Sequence, residues 1–251
     1  MSIADDDRGF TLGFGLFETV LWEWGGLVFW HEHMARLARG CDGLGLPAPD
    51  AGVCESRALA AAHVLAAPRA AIRLSWSAGP GGRGLDPSPP RPHLVVSAAP
   101  APHHATPARL ATVSIRRNET SPASRLKTLS YLDNLIARSE ARASGADEAL
   151  MLNTGGQVAC AAAANVIWER DGRLFTPALT CGVLDGIVRA AVMAAFPVEE
   201  VTVGPEALAG ADAIVLTSSL IGVRAVSHLD GRPCASEALA VRLGDALAVQ
   251  R

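Results

Sequence analysis

The sequence contains almost no lysine. Lys127 is the only lysine among 22 basic residues in a chain of 251, and every other one is an arginine. The chain also lacks a run of about 18 uncharged apolar residues, which a membrane-spanning helix needs. Its N-terminus lacks the basic and apolar regions of a signal peptide. With a net charge of −3 and both signs interspersed, the sequence shows no basic surface of the kind that binds nucleic acid.

Cysteine is scarce and scattered. No two of the cysteines form a C-x-x-C pair, and their odd number does not suit a disulfide framework. The five residues are Cys41, Cys54, Cys160, Cys181 and Cys234. We therefore expect a reducing compartment, the cytoplasm.

Metal and nucleotide motifs are incomplete. His31 and His33 would lie on the same face of a strand, but no third ligand is recognisable nearby, and the pair His103–His104 lies in a proline-rich segment. The glycine-rich stretch 79–84 lacks the G-K-[ST] ending of a phosphate-binding loop. The sequence thus predicts neither a metal site nor a nucleotide site.

The amino-acid composition fits a globular protein. Hydrophobic residues make up 49% of the chain and charged residues 19%, and the length suits one large domain or two small ones. The segment 98–107 is rich in proline and alanine, and it predicts a linker because proline interrupts both helices and sheets. We expect one domain at 1–104 and another at 105–251.

Local patterns mix strands and helices without strict alternation, which predicts an α+β fold. The predicted strands are 27–30, 70–76, 93–97, 111–115, 148–152, one that ends at 168, and 213–217. Helices are predicted near 32–42 and 55–66, around Leu132, Leu135, Ile136 and Ser139 (which share one face), from about Gly186, and after the capping residue Ser236. Asp171-Gly172 predicts a hairpin turn.

The single lysine has two interpretations. An arginine keeps its proton in any protein environment, whereas a lysine amine can lose it when buried or placed near another cation. The neutral amine is a nucleophile that condenses with carbonyl groups. Lys127 is therefore either an ordinary surface residue or a residue whose amine does chemistry that arginine cannot do.

Seven segments help to decide between these interpretations. They are 12–19, 33–37, 81–85, 125–134, 143–153, 158–165 and 184–189. Taken in this order they resemble the class IV aminotransferases, pyridoxal phosphate enzymes of fold type IV. That family includes branched-chain and D-amino acid aminotransferases and aminodeoxychorismate lyase, and Gly81-Gly-Arg-Gly-Leu85 is most similar to the lyase branch.

The resemblance implies a smaller N-terminal α/β domain, a barrel-like C-terminal domain that carries the Schiff-base lysine, and pyridoxal 5'-phosphate in the cleft between them. Lys127 falls at the position of that lysine, where an arginine would remove the covalent link and the proton transfer at the substrate Cα. The resemblance also implies a homodimer that acts on a small amino substrate.

The same resemblance assigns residues to the cofactor phosphate. Arg36 would hold it, since a permanently charged, forked donor suits a phosphate dianion. The backbone N–H groups of Ile187 and Val188, at the start of a helix, would meet it as well. Ser218 and Ser219 are either further phosphate donors or turn formers.

Four more residues come from the resemblance. Arg83, in a glycine-rich loop, either takes the substrate carboxylate or is solvated, and Phe17 is assigned to the substrate side. Tyr131, the only tyrosine, either reaches the phenolic oxygen of the cofactor or packs. Asn165 either contacts the ligand or supports the neighbouring backbone.

Two positions depart from the family pattern. Cys160 stands where the family normally has a glutamate that pairs with the pyridine nitrogen and keeps the ring protonated. A thiol is a weak hydrogen-bonding group with a pKa of about 8.5 in its free state. We therefore expect the pyridine ring to be less protonated than with a glutamate, and transamination to be weaker. Phe14 stands where the family usually has an aspartate in a Gly-Asp-Gly turn.

Three functions are compatible with these residues. The preferred one is an aminodeoxychorismate lyase-like enzyme, which eliminates pyruvate from an amino-substituted chorismate-type substrate. The second is an amino acid aminotransferase, of the branched-chain or D-amino acid type, with weakened ring protonation. The third is a non-catalytic homologue that binds the cofactor.

Overall fold

The computed structural model describes residues 3–82, 84–85, 89–101, 103–104 and 106–248. The chain forms two compact units, Met1–Pro102 with Leu126–Ser130, and His103–Arg125 with Tyr131–Arg251. Both contain helices and strands, which confirms the α+β class. The predicted division at 104/105, with the lysine on a barrel-like C-terminal domain, stays a prediction; Lys127 lies in the segment that clusters with the first unit.

The first unit is built on a four-stranded antiparallel sheet with the order β2-β1-β3-β4. Its strands are β1 (Gly15–Glu23), β2 (Gly26–Leu27), β3 (Arg69–Ser77) and β4 (His93–Pro100), and its helices are α1 (Arg8–Leu12), α2 (Trp30–Leu44) and α3 (Ala51–Leu65). Asp50 starts α3 by accepting a hydrogen bond from the backbone N–H of Val53 at 2.8 Å. Helix α3 then buries Cys54, Ala58 and Ala62, spaced four apart, in the apolar core of the sheet.

Two sequence predictions for this unit were wrong. Residues 27–30 were expected to form a strand, but only Leu27 belongs to one, because Trp30 already begins α2. The linker was predicted at 98–107, but its first three residues belong to a strand, because β4 runs to Pro100. A proline is tolerated there because β4 is an edge strand, where an N–H group is not needed on the outer side.

The second unit contains a larger mixed sheet with the order β10-β9-β8-β11-β12-β5-β6-β7, and β13 pairs with β12. Its strands are β5 (Ala108–Arg117), β6 (Glu148–Asn153), β7 (Val158–Ala161), β8 (Asn165–Arg170), β9 (Arg173–Pro177), β10 (Val198–Val201), β11 (Ala213–Ser218), β12 (Gly222–Leu229) and β13 (Arg232–Pro233). Its helices are α4 (Pro122–Arg125), α5 (Leu132–Ala143), α6 (Ile187–Ala195), α7 (Glu206–Ala209) and α8 (Glu237–Ala248), with a 3-10 turn at Leu179–Cys181.

Most predictions for this unit are confirmed. The strands expected at 111–115, 148–152 and 213–217 are present with longer bounds. Asp171 and Gly172 both have positive φ and form the tight turn between β8 and β9. Ser236 precedes α8 as expected, and its hydroxyl accepts a hydrogen bond from the backbone N–H of Ile214 at 2.9 Å.

Helix α5 packs on the sheet with its small residues rather than its large ones. Ala137 and Ala141 are fully buried against β5 and β6. Leu132, Leu135 and Ile136, the face recognised in the sequence, are 66%, 68% and 41% exposed. This helix therefore presents an apolar face that the rest of its own unit leaves uncovered.

Candidate active site

Lys127 is held in place through its backbone by strand β1. The backbone N–H of Phe17 donates to the carbonyl of Lys127 at 2.8 Å, and that of Leu129 donates to the carbonyl of Gly15 at 2.9 Å. Residues Leu16 and Thr128 form an isolated antiparallel bridge between these two bonds. The lysine segment is thus added to β1 as a short extra strand, which fixes where the side chain of Lys127 begins.

The side chain of Lys127 lies over an aromatic ring. Its Nζ is 4.2 Å from the ring centroid of Phe17, and the Cζ of Arg73 is 3.7 Å from the same centroid. Both distances are well inside the range of about 6 Å for cation–π attraction. Phe17 is buried, so one ring orients two cationic side chains.

Arg36 is bound by a buried carboxylate that is adjacent to Phe17 in sequence. Its Nε donates to Oε1 of Glu18 at 2.8 Å and its Nη2 donates to Oε2 at 2.6 Å. Successive residues of a strand point to opposite faces. Phe17 therefore contacts Lys127 on one face of β1, while Glu18, on the other face, binds Arg36 of α2.

His33 completes this group. Its Nδ1 lies 2.7 Å from Oε2 of Glu18. Burial opposes the ionisation of Glu18, but the hydrogen bonds from Arg36 and His33 and the charge of Arg36 outweigh it and lower the pKa of Glu18 to about 2. Glu18 is consequently a carboxylate at any working pH, and the Nδ1–H of His33 is the donor.

The imidazole of His33 is neutral. Burial lowers its pKa most, and the charges of Arg36 and Lys127 act in the same direction against the hydrogen bond and charge of Glu18. Because Nδ1 carries the proton, Nε2 carries a lone pair. Nε2 is buried and has no hydrogen-bonding partner in the described part of the chain. The contact with Glu18 is thus a hydrogen bond to a carboxylate rather than a true ion pair.

In the second unit, Asn165 connects the segment before α6 to the sheet. Its Nδ2 donates to the carbonyl of Leu184 at 2.9 Å, and a Cβ at Gly186 would overlap its Oδ1. Gly186 is the N-cap of α6 and has no side chain to satisfy the first N–H groups, which belong to Ile187 and Val188. The side chain of Asn165 therefore binds the backbone of the segment before α6, and its role in ligand contact stays a prediction.

The end of strand β11 lies beside the same asparagine. Thr217 is paired in register with Asn165, Ser218 ends the strand and Ser219 lies in the turn that follows. Ser218 and Ser219 are both half-buried. Thr217 is fully buried, and its hydroxyl has no hydrogen-bonding partner among the described residues. Thr217 and the N-cap of α6 thus both lie next to Asn165.

Cys160 lies on β7, opposite Met151 of β6. Burial raises the pKa of its thiol, the charge of Arg117 acts in the opposite direction, and that of Glu148 adds to the burial effect. Arg117 itself is buried and donates to Oδ1 of Asn134 at 3.2 Å, to the carbonyl of Gly182 at 3.3 Å and to the carbonyl of Ser124. The thiol is therefore neutral, and the arginine is engaged by other acceptors.

The remaining predicted positions are less informative. Tyr131 is half-buried and is the N-cap residue of α5, while Phe14 is half-buried with the guanidinium of Arg8 at 5.9 Å from its ring centroid. Arg83 lies outside the described residues. Over the described ranges no group of three or more His, Cys, Asp and Glu could hold a metal ion. No described helix is long and apolar enough to cross a membrane.

Sequence reasoning missed Glu18, because the strand that carries it was not predicted. An acidic residue within the apolar run Leu16-Phe-Glu-Thr-Val20 was the available signal, since a buried carboxylate in a strand needs a cationic partner. For His33 the sequence offers an incomplete metal pair and a place in the segment 33–37, but no hydrogen-bond acceptor. Gly186 was recognised as the start of a helix, but its close approach to Asn165 is visible only in the structure.

Comparison with known proteins identifies the family. The sequence profile of the family described as amino-transferase class IV matches residues 15–229. The chain belongs to this family. Class IV members are pyridoxal phosphate-dependent aminotransferases and lyases, and the chain is accordingly an enzyme.

Individual class IV relatives include both lyases and aminotransferases. An aminodeoxychorismate lyase of Vibrio harveyi is 27% identical over 234 residues, covering 89% of this chain and 86% of that protein. The structure of 4-amino-4-deoxychorismate lyase from Pseudomonas aeruginosa aligns with a TM-score of 0.87 at 28% identity, covering 99% of this chain and 95% of that one. A branched-chain aminotransferase from Thermoproteus uzoniensis aligns with a TM-score of 0.90 at 26% identity, covering 98% and 88%. These matches confirm the fold type IV architecture.

Proposed function

We propose that this class IV enzyme binds pyridoxal 5'-phosphate through Lys127 and acts as an aminodeoxychorismate lyase-like enzyme, releasing pyruvate from an amino-substituted chorismate-type substrate. The observation that carries the proposal is the placement of Lys127. The segment that carries the only lysine of the chain is fixed to β1 by one backbone hydrogen bond at Lys127 and one at Leu129, with the lysine amine over Phe17 and close enough to His33 to affect the pKa of His33.

The residues present fit the proposed cofactor. Arg36 supplies a permanent positive charge, and the first N–H groups of α6, which its N-cap Gly186 does not cap with a side chain, supply donors suited to an anion. The buried polar atoms without partners within the described residues include His33 Nε2 and Thr217 Oγ1, and such atoms fit a site that binds a polar ligand. Each unit therefore holds groups that a phosphorylated ligand would engage.

Bound pyridoxal phosphate supplies a carbonyl carbon for covalent attachment and a ring that withdraws electrons from the substrate Cα. Lys127 would provide the nucleophilic Nζ for that attachment, and its free amine would be the group that accepts and returns a proton at the substrate Cα. Arg36, Ile187 and Val188 hold the phosphate, with Ser218 and Ser219 as further donors. The ring of Phe17 orients Nζ of Lys127. Arg83 binds the substrate carboxylate.

The lyase is preferred to the aminotransferase for two reasons. The stretch 81–85 is most similar to the lyase branch, and a lyase stands among the relatives that align along most of the chain. Cys160 gives a buried neutral thiol in place of the glutamate expected from the family, which weakens ring protonation. Transamination needs a stabilised Cα carbanion in both half-reactions and suffers more than a single elimination.

Product analysis distinguishes the candidates. The protein loaded with pyridoxal phosphate is incubated with 4-amino-4-deoxychorismate, without an amino acceptor, and pyruvate is measured. We expect pyruvate from the wild type and none from Lys127→Arg, which keeps the charge over Phe17 but not the reactive amine. A parallel incubation contains a panel of amino acid donors instead, and formation of their keto acids only when an amino acceptor is added would identify an aminotransferase. Absence of both pyruvate and these keto acids would support the non-catalytic homologue.

Covalent attachment is tested separately. Borohydride reduction after incubation with the cofactor is expected to add one cofactor mass to the peptide that contains Lys127. With a single lysine in the chain, no other side-chain amine competes. An unmodified peptide would contradict the proposed role of Lys127 whatever the product analysis shows.

We also propose a homodimer in a reducing compartment, the cytoplasm. The exposed apolar face of α5 supports the dimer, because three large side chains at helical spacing are left in solvent in the single chain. Five free cysteines, four of them buried, support the compartment.

A further inference from the structure

We propose that Glu18 is a positioning residue, which holds the guanidinium of Arg36 in the orientation that binds the cofactor phosphate, and that His33 fixes Glu18 in turn. This inference rests on the proposed function, since it takes Arg36 to be the phosphate ligand. It adds two residues, one on β1 and one on α2, whose effect on the cofactor is indirect.

The geometry defines which edge of Arg36 is occupied. Glu18 accepts from Nε and Nη2 with one oxygen each, at 2.8 and 2.6 Å, so the planar guanidinium is clamped along one edge. Because the five N–H donors form a rigid fork, fixing one edge fixes the direction of the remaining donors on Nη1 and Nη2. The role of Arg36 as a phosphate ligand therefore depends on the direction in which Glu18 sets the guanidinium plane.

Glu18 is itself immobile. It lies on β1, an inner strand of the sheet, pairs in register with Leu74 and is only 1% exposed. His33 and Arg36 are three residues apart on α2, so both side chains come from the same face of the helix to the same carboxylate. The carboxylate is thereby held from the strand, and the arginine is held from the carboxylate.

Charge and orientation predict opposite outcomes when Glu18 is neutralised. Removing a negative charge beside Arg36 would strengthen phosphate binding if charge alone mattered. If orientation matters, Glu18→Gln weakens it, because an amide nitrogen facing Arg36 replaces an acceptor by a donor and releases a long, flexible side chain. The sign of the change therefore separates the two explanations.

The test compares two ligands that do not bond covalently with Lys127, pyridoxamine 5'-phosphate and pyridoxamine. Isothermal titration calorimetry on the full-length protein gives both dissociation constants, and their ratio isolates the contribution of the phosphate. We expect Glu18→Gln to reduce this ratio about tenfold, Arg36→Ala to reduce it further, and the double variant to match Arg36→Ala.

Glu23→Gln is the matched control. Glu23 lies on the same strand and pairs with Arg69 at 2.9 Å, and that arginine is 12% exposed, against 11% for Arg36. Its loss should disturb β1 to a similar extent but leave the affinity ratio within about twofold of the wild type. A general loosening of the strand would instead weaken both ligands equally and leave every ratio unchanged.

Each outcome is decisive. If Arg36→Ala lowers the ratio while Glu18→Gln leaves it unchanged or raises it, the positioning role is wrong and the proposed function survives. If Arg36→Ala leaves the ratio unchanged, the phosphate role of Arg36 fails and the inference fails with it. Should Glu18→Gln not fold, Glu18→Asp retains the charge but withdraws the carboxylate by about 1.5 Å. An unchanged ratio in that variant would overturn the proposal equally.

Discussion

A Cβ atom cannot be accommodated at Gly186, because it would overlap the side-chain Oδ1 of Asn165. Gly186 has φ of −79°, an ordinary value for any residue, so close approach and not backbone conformation requires the glycine. The contact joins the N-terminus of α6 to the start of β8. The N-terminus of α6, whose backbone donors would meet a phosphate, is thus adjusted at this one residue to the strand that pairs with β11.

Gly186→Ala should therefore impair both stability and cofactor binding. Forcing the asparagine aside breaks its 2.9 Å hydrogen bond to Leu184, and overpacking of this kind costs about 1–3 kcal/mol. Urea unfolding measures the first effect, and titration with pyridoxal phosphate measures the second, for which we expect a loss of about tenfold. Gly244→Ala, in α8 with open space around its Cα, is the control and should stabilise by about 0.5–1 kcal/mol. Equal behaviour of the two variants would contradict the role of the close contact.

The acid stability of the first unit should depend on Glu18. Its pKa is lowered from 4.5 to about 2, so the folded state binds fewer protons than the unfolded state between these values. The stabilisation is complete above pH 4.5 and is lost as the pH falls towards 2, which amounts to about 3 kcal/mol. We expect the difference in unfolding free energy between wild type and Glu18→Gln to shrink over this window.

Glu148 is a control whose pKa is shifted in the opposite direction from that of Glu18. Burial raises its pKa and outweighs the charge of Arg138, whose Nη1 is 3.6 Å away. A buried acid with a raised pKa destabilises the folded state at neutral pH and destabilises it less as the pH falls. Glu148→Gln should thus be better tolerated at neutral pH than Glu18→Gln, and chemical denaturation at several pH values would reveal whether the two trends diverge. Parallel trends would contradict the assignment of charge states.

The sequence was sufficient for the family and for much of the second unit, because β6 and β11 are continuous apolar runs and Asp171-Gly172 is a strong turn signal. It was insufficient for β1. Eight of its nine residues are buried, so the alternation that marks a half-exposed strand is missing. Without β1, neither the backbone support of Lys127 nor the contact between Glu18 and Arg36, which are 18 residues apart, could be anticipated.

Residue types were thus easier to predict than their partners. Arg36 and Lys127 were found from motifs, whereas His33 was found as a motif residue without its acceptor. No sequence spacing predicts a carboxylate that accepts hydrogen bonds from both an arginine and a histidine. The identity of that carboxylate depends on which strand faces α2. The exposed face of α5 shows the same limit, because helical spacing identifies an apolar stripe without indicating what covers it.

The proposed dimer should depend on that stripe. Leu135→Glu places a charge in the centre of the exposed face of α5, where the leucine is 68% exposed. A single chain tolerates the change, so we expect the unfolding free energy to alter by no more than about 0.5 kcal/mol, while the mass from light scattering falls from dimer to monomer. Val64→Glu on α3, at a residue 88% exposed, is the control that should leave the mass unchanged. A dimer that survives Leu135→Glu would place the interface elsewhere.

Cys160→Glu should raise transaminase turnover by about tenfold or more if the chain is a weak aminotransferase. The introduced carboxylate would restore the partner that the family resemblance assigns to the pyridine nitrogen. At this position burial and the charge of Glu148 oppose its ionised form, and the positive charge of Arg117 favours it. The larger side chain must fit a site where the thiol is 5% exposed, so we expect a cost of about 1–3 kcal/mol in stability.

Cys160→Gln, equal in size but uncharged, separates packing from charge and should not raise the rate. The measurement is keto acid formation from a panel of amino donors, and rates that stay at zero in all three forms would show that the thiol is not what limits transamination.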